Sequence, residues 1–130
     1  MLEPSQFAEN EAWVAFQLND APICTERDGN FNCIVLMDAA SGHIFDTAFV
    51  AVAQSEPSVF EVRRLFNSCL ERSGKAPSSL LIPKGQLPTI FPAEAKRRGI
   101  TAIHVHASEL VALTSEAIQG FRAHVQGGRA

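Results

Sequence analysis

The feature that most constrains this fold is a pair of apolar segments separated by a short turn. "CIVLMD" spans 33–38 and "HIFDTAFVAVA" spans 43–53, and each is apolar on both of its faces. Strands of this kind are typical of a sheet that lies between helical layers. The connection "DAASG" is too short for a crossover, so we predict an antiparallel hairpin in which Gly42 supplies a positive φ.

The rest of the chain alternates between helical and extended patterns. Ser58 and Glu61 form a capping-box pattern ahead of an apolar stripe with helical spacing, which predicts a helix over 58–73. Further strands are predicted at 12–18, 79–83 and 100–107, with a short helix at 92–98 and a final helix from 108. The predicted order is β-β-β-α-β-α-β-α, which is an α/β fold with helices on both faces of a mixed sheet.

Composition narrows the classes of protein that fit. The 130 residues suit a single domain over 1–130, with a core at about 12–125 and flexible ends at 1–11 and 126–130. Hydrophobic residues at 46% and charged residues at 19% indicate a globular protein. A net charge of -3 argues against a dedicated nucleic-acid binder, which is usually basic.

Cysteine content and hydropathy indicate the cellular compartment in which the protein is expected. The three cysteines are an odd number with no C-x-x-C spacing, which favours reduced thiols over a secreted disulfide framework. The N-terminal "MLEPSQFAENEAW" lacks the basic start and apolar core of a signal peptide. No apolar run reaches the ~20 residues of a membrane span. We therefore expect a soluble cytoplasmic protein with no membrane partner.

This order of elements resembles the ribonuclease H-like superfamily, and within it the catalytic cores of integrases and DDE transposases. The chain is also similar to uncharacterised bacterial domains that share the strand, Asp-turn-Gly, strand hairpin. The segments that carry the resemblance are "AWVAFQL", "CIVLMDAASG", "HIFDTAFVAVA", "SVFEVRRLFNSCLERSG", "LLIPKG", "AEAKRRGI" and "AIHVHASEL". The resemblance implies a three-layer fold and a nuclease-type site at which clustered acids hold two Mg²⁺ or Mn²⁺ ions.

The acids that the resemblance implies are mostly absent. Its first acid falls on the first strand, where this chain has Phe16, Gln17 and Leu18 and no acid before Asp20. Its second acid falls in the loop at 82–85, "IPKG", which has none, and Lys84 there would repel a cation. For the third acid, on the last helix, the candidates are Glu109 and Glu116. We therefore expect no metal cofactor.

Two aspartates of the hairpin remain as candidates for chemistry. Asp38 ends a strand, and aspartate at such a turn usually accepts hydrogen bonds from backbone N–H groups, here those of 40–42. Asp46 lies inside an apolar strand and shares a face with Ile44 and Ala48. A buried Asp46 needs a partner or a raised pKa, and the milder explanation is that water reaches it near the strand's start.

Binding candidates lie near the ends of later strands. "PKGQLPTIFP" follows a strand, and loops at that end of α/β sheets often bind ligands, which makes Lys84, Gly85 and Gln86 candidates. His104 and His106 point to one side of a strand, and a zinc site there would need two further ligands.

Basic residues give a further alternative. Lys84, Arg63, Arg64 and the run at 96–98 are candidates for a phosphate-binding patch. Basic residues in the last turn of a helix also suit its dipole without any ligand.

Three functional hypotheses follow from these candidates. The leading one is a non-catalytic ribonuclease H-like module, a pseudoenzyme, that binds a protein partner rather than nucleic acid and is compatible with a homodimer. The second is a metal-dependent nuclease rearranged around Asp20, Asp38, Asp46 and Glu116, and the third is a phosphate or nucleic-acid binder. The sequence identifies no substrate.

Overall fold

The computed structural model describes residues 1–25 and 29–127. The strands described are β1 (Ala12–Gln17), β2 (Ile23–Thr25), β3 (Gly29–Asp38), β4 (Ile44–Ala51), β5 (Ser79–Pro83) and β6 (Thr101–Val105). The helices described are α1 (Val59–Ser73), α2 (Ile90–Arg97) and α3 (Val111–Gly127), with 3-10 turns at Pro4–Gln6 and Ala107–Leu110. The architecture is the mixed α/β sheet with three helices that the sequence predicts.

The sheet is organised around β3. β3 pairs antiparallel with β4 along one side, and with β1 and β2 along the other. β1 pairs in parallel with β5, and β5 pairs in parallel with β6. The hairpin of β3 and β4 is thus antiparallel, as predicted, and Gly42 in its turn has φ 74°. β1 and β5 therefore end side by side at one edge of the sheet.

One strand was not anticipated. β2 forms within the segment that joins β1 to β3, where the sequence analysis predicts no strand, and it pairs with the beginning of β3. A three-residue strand is too short to show an alternation of apolar and polar residues. The polar residues Asn30 and Asn32 also interrupt the apolar pattern at the start of β3. The stretch Asp28-Gly29-Asn30 has the residue types of a tight turn, but Gly29 and Asn30 belong to β3 and Asp28 lies outside the described residues.

Helices cover both faces of the sheet. α1 and α2 pack on one face, where Trp13, Leu36 and Phe66 belong to the core. α3 packs on the other face, over a second cluster that includes Phe16 and Met37. No helix in the described part of the chain is both long and apolar enough to cross a membrane.

α2 begins earlier than the sequence predicts, because a residue from a distant loop caps it. The buried carboxylate of Glu56 accepts the backbone N–H groups of Thr89, Ile90 and Phe91 at 2.8–3.2 Å. These are the N–H groups that a helix start otherwise leaves without acceptors. The negative charge also suits the positive end of the helix dipole.

The N-terminal segment, for which the sequence analysis expects a flexible end over 1–11, makes specific contacts with the rest of the chain. The backbone N–H of Leu2 donates to the carbonyl of Glu109 at 2.9 Å. Asn10 is buried with φ 62°, and its amide donates to the carbonyl of Lys75 and accepts from the Trp13 indole at 2.5 Å. Polar side chains fasten this segment, which the hydropathy pattern alone does not reveal. Of the flexible tail expected at 126–130, residues 128–130 lie outside the described residues.

Candidate functional site

Asp38 closes the turn between β3 and β4 and also anchors the N-terminal segment. One carboxylate oxygen accepts the backbone N–H of Asn10 at 2.9 Å. The other accepts the N–H of Ser41 at 3.1 Å and its hydroxyl at 2.7 Å. With 1% exposure and three donors, the carboxylate is fully engaged by the protein. This arrangement matches the turn-closing interpretation of Asp38.

A small cavity lies beside this turn. Its volume is about 180 Å³, and Asp38, His43 and Arg72 are among its lining residues. Ligand pockets are usually larger, at about 300–1,000 Å³. The cavity is therefore smaller than a typical ligand pocket.

A glutamine side chain links the C-terminal ends of β1 and β5. The backbone N–H of Gln17 donates to Oε1 of Gln86 at 2.8 Å, which ties the end of β1 to the loop after β5. His104 on β6 holds the same loop, because its Nε2 lies 3.2 Å from the carbonyl oxygens of both Gln86 and Leu87. Both neighbours are acceptors, so this nitrogen acts as the donor. Leu87 has φ 45°, a strained value that these contacts help to maintain.

The other binding candidates lie in this loop or directly after β6. The side chain of Lys84 is exposed, while its backbone N–H donates to Val105 at 2.8 Å. Gly85 has φ 90°, as its place in the turn requires. His106 is exposed, precedes a 3-10 turn and does not cap it through its side chain.

The four carboxylates of the rearranged-nuclease hypothesis belong to different elements of the fold. Asp20 follows β1 and forms an ion pair with Arg122 near the end of α3. Asp38 is opposite Trp13, about 13 Å along the strand from the end of β1. Glu116 is exposed on α3 and lines a groove of about 330 Å³ beside the β3–β4 turn. Among the residues that the structure describes, no three His, Cys, Asp or Glu side chains form a group suited to a metal ion.

Asp46 is partly exposed, at 24%, and its carboxylate is well supplied with partners. It accepts the Ser68 hydroxyl at 2.6 Å and the Thr47 N–H at 2.7 Å, and Arg64 lies 3.6 Å away. Burial raises the pKa of Asp46, but these hydrogen bonds and the charges of Arg64 and Arg72 outweigh it and hold the pKa below its usual range. Asp46 is therefore an ionised structural group.

Three arginines cluster around Glu94, and the sequence analysis does not predict this cluster. Its carboxylate is only 4% exposed and accepts from Arg63 at 3.1 Å, from Arg97 at 2.7 Å and from Arg98 at 2.6 Å. Hydrogen bonds from Arg97 lower the pKa of Glu94 to about 2 against the effect of burial, and those from Arg98 and Arg63 add to this. The i, i+3 and i, i+4 spacing of Glu94 to Arg97 and Arg98 was visible in the sequence. The approach of Arg63 from α1 was not.

Comparisons with known proteins establish the fold. The chain is similar to a chain of the simian T-cell lymphotropic virus intasome, with 11% identity, a TM-score of 0.57 and coverage of 88% of this chain and 37% of that one. It is similar to the HTLV-2 integrase catalytic core in complex with magnesium, with 12% identity, a TM-score of 0.56 and coverage of 91% and 68%. It is also similar to the BIV integrase catalytic core, with 14% identity and a TM-score of 0.51. That match covers 88% of this chain and 64% of the BIV chain.

These identities support a conclusion about the fold alone. The chain has the ribonuclease H-like α/β fold of integrase catalytic cores. It spans little more than a third of the intasome chain. The sequence matches no model of a known protein family, and no curated protein matches it either.

Proposed function

We propose that this chain is a non-catalytic ribonuclease H-like module that binds or assembles with a protein partner. The observation that supports it most strongly is the bond between Gln17 and Gln86. In the family that the chain resembles, one catalytic acid lies on the first strand and another lies in the loop that corresponds here to the one after β5. Here a neutral amide spans these two elements at 2.8 Å.

The residues at this edge do not fit a pair of divalent metal ions. Magnesium at such sites needs carboxylate oxygens, and the HTLV-2 neighbour is described in complex with magnesium. The amide oxygen of Gln86 already accepts from the Gln17 backbone, and Asp20 forms an exposed ion pair with Arg122. A cation here would be dehydrated without enough negative charge to offset the loss. The residues at this edge therefore do not support a metal-dependent step.

The nature of the partner and its compartment are parts of the same proposal. A protein partner fits a chain with a net charge of -3 better than nucleic acid does. Cys24, Cys33 and Cys69 are free thiols, which supports a cytoplasmic location.

A nuclease assay tests the proposal directly. The purified chain is incubated with plasmid DNA and with RNA in the presence of Mg²⁺ or Mn²⁺, and metal binding is measured by calorimetry. We expect no cleavage above the level of a mock purification and no heat of metal binding. Cleavage that Asp20→Ala or Glu116→Ala abolishes, both of them changes at exposed acids, would establish the rearranged nuclease and end this proposal.

A further inference from the structure

We propose that α1 and α2 together bind an acidic segment of a partner protein that also carries an apolar side chain. The surface consists of Arg63, Arg97, Arg98 and Phe60, and we call it the arginine surface. This inference rests on the proposed function, because it names the chemistry of the partner that the module binds.

The arginine surface is built on a buried anion. Glu94 holds three guanidinium groups at 2.6–3.1 Å, and its own side chain is 4% exposed. One carboxylate for three guanidinium groups leaves two positive charges in excess. Arg63 comes from α1 and Arg97 from α2, so the excess charge spans the seam between the two helices.

Two of these arginines remain open to a second anion. The side chains of Arg63 and Arg97 are 51% and 55% exposed. Among the contacts described, Arg63 donates only through its Nε, so its terminal N–H groups are available. Because Glu94 already restrains both side chains, a further carboxylate would bind at a smaller cost in side-chain entropy.

Arg98 has a supporting part in the cluster. It is only 15% exposed, donates to Asn67 at 2.8 Å and lies 5.6 Å from the centre of the Phe66 ring. These contacts direct most of its donors towards the protein. Arg98 therefore fixes Glu94 and adds charge, while Arg63 and Arg97 face the partner.

An apolar group lies next to the charge. Phe60 is 78% exposed and Val59 is 47% exposed, which is unusual for large apolar side chains. They precede Arg63 by three and four residues on α1, which places all three on neighbouring parts of the helix surface. A partner that presents carboxylates beside an apolar side chain complements both parts at once.

The charge distribution favours an acidic protein segment over nucleic acid. Nucleic-acid binders usually carry an extended basic face, whereas this chain has a net charge of -3 and a compact basic patch. Arg64, the next cation along α1, is engaged by Glu61 and Asp46. A few carboxylates, which pair well with guanidinium groups, match so small a patch better than a long polyanion.

Fluorescence anisotropy tests the inference with a defined probe. The probe is a fluorescein-labelled dodecapeptide of glutamate and aspartate with one central leucine, titrated with the full chain at low and physiological salt. We expect Arg63→Gln and Arg97→Gln each to weaken binding about fivefold, with less effect at higher salt. Arg122→Gln removes the same charge from α3 and is expected to leave the affinity unchanged.

A second probe isolates the apolar contact. Replacing the leucine of the peptide by serine should weaken binding to the native chain and leave the affinity of the Phe60→Ser variant unchanged. Phe60 is so exposed that this variant should fold normally, which circular dichroism verifies. Agreement of both probes supports the arginine surface.

Several results would overturn the inference. The inference fails if the acidic peptide does not bind, or if Arg122→Gln weakens peptide binding as much as Arg63→Gln and Arg97→Gln do. It also fails if a single-stranded oligonucleotide of equal charge binds more tightly through the same arginines. A dimer of the chain that Arg97→Gln dissociates would likewise overturn it. A chain that is inactive as a nuclease and does not bind the peptide refutes only this inference. Nuclease activity refutes the proposed function instead, so the two failures can be told apart.

Discussion

The carboxylate of Asp46 accepts the backbone N–H of Thr47 at 2.7 Å, within a strand that pairs on one side only in the described sheet. The backbone carbonyl of Thr47 accepts from the guanidinium group of Arg64 at 3.0 Å. Side chains thus occupy both backbone groups of Thr47. Unpaired groups on an edge strand can template pairing with another chain, so this arrangement protects the edge.

Replacing Asp46 by alanine should therefore have two effects. We expect a loss of about 1–2 kcal/mol in the free energy of unfolding, because the N–H of Thr47 and the Ser68 hydroxyl lose their acceptor. We also expect more self-association, because the edge becomes available. Urea unfolding and light scattering measure the two effects. Glu71→Ala, which removes an exposed carboxylate from α1, is the control and should change neither.

Replacing Asp38 by alanine should be more costly. The change leaves the buried N–H of Asn10 and the partly buried N–H of Ser41 without their acceptor, which we expect to cost about 2–4 kcal/mol. The fluorescence of Trp13, the single tryptophan, follows unfolding because its indole bonds to Asn10. Ser41→Ala should cost less, since it removes one donor and leaves the carboxylate with two. Equal costs for the two variants would contradict the anchoring role of Asp38.

Glu94 should make stability fall in acid. Its pKa is lowered from 4.5 to about 2 in the folded chain, so its contribution is fully present above pH 4.5 and is lost as the pH falls towards 2. We expect a loss of roughly 2 kcal/mol over that window, after allowing for water at the half-exposed arginines. Denaturant unfolding at a series of pH values measures it. The Glu94→Gln variant should show a shallower decline, and an unchanged slope would refute the assignment to Glu94.

The cysteines should differ in reactivity. Burial raises the pKa of the Cys33 thiol to about 11, and burial together with the charge of Asp46 raises that of Cys69 to about 12. Cys24 is exposed. A thiol reagent at neutral pH should therefore label one cysteine in the folded chain and three after unfolding. Cys24→Ser should leave the folded chain unlabelled on the same timescale, and fast labelling of that variant would contradict the burial of the other two.

The parts of the fold set by local pattern could be predicted from the sequence. The β3–β4 hairpin follows from two apolar runs and a short turn, and α1 begins after Ser58, whose hydroxyl accepts the N–H of Glu61 at 3.2 Å, as the capping pattern indicates. The order of elements follows from the same patterns, and only β2 was missing from it. Three residues that pair with the start of β3 leave no periodic trace.

Contacts between distant residues could not be predicted in this way. Gln86 approaches Gln17 across 69 positions, and Arg63 approaches Glu94 across 31. Each contact depends on where whole elements pack, which single-residue properties do not encode. The binding candidates Lys84, Gly85, Gln86, His104 and His106 remain predictions, as do the acids proposed for the nuclease alternative.

The contact of Glu56 with the start of α2 has a consequence for folding order. α2 has eight residues, and isolated helices so short are marginal in water. Its first turn depends on a carboxylate from a loop more than thirty positions earlier in the chain. α2 should therefore become stable late, after β4 and α1 have brought Glu56 into place. The helix that ends at Arg97, directly before Arg98, is thus completed by tertiary assembly, and a peptide cut from this region should remain unfolded.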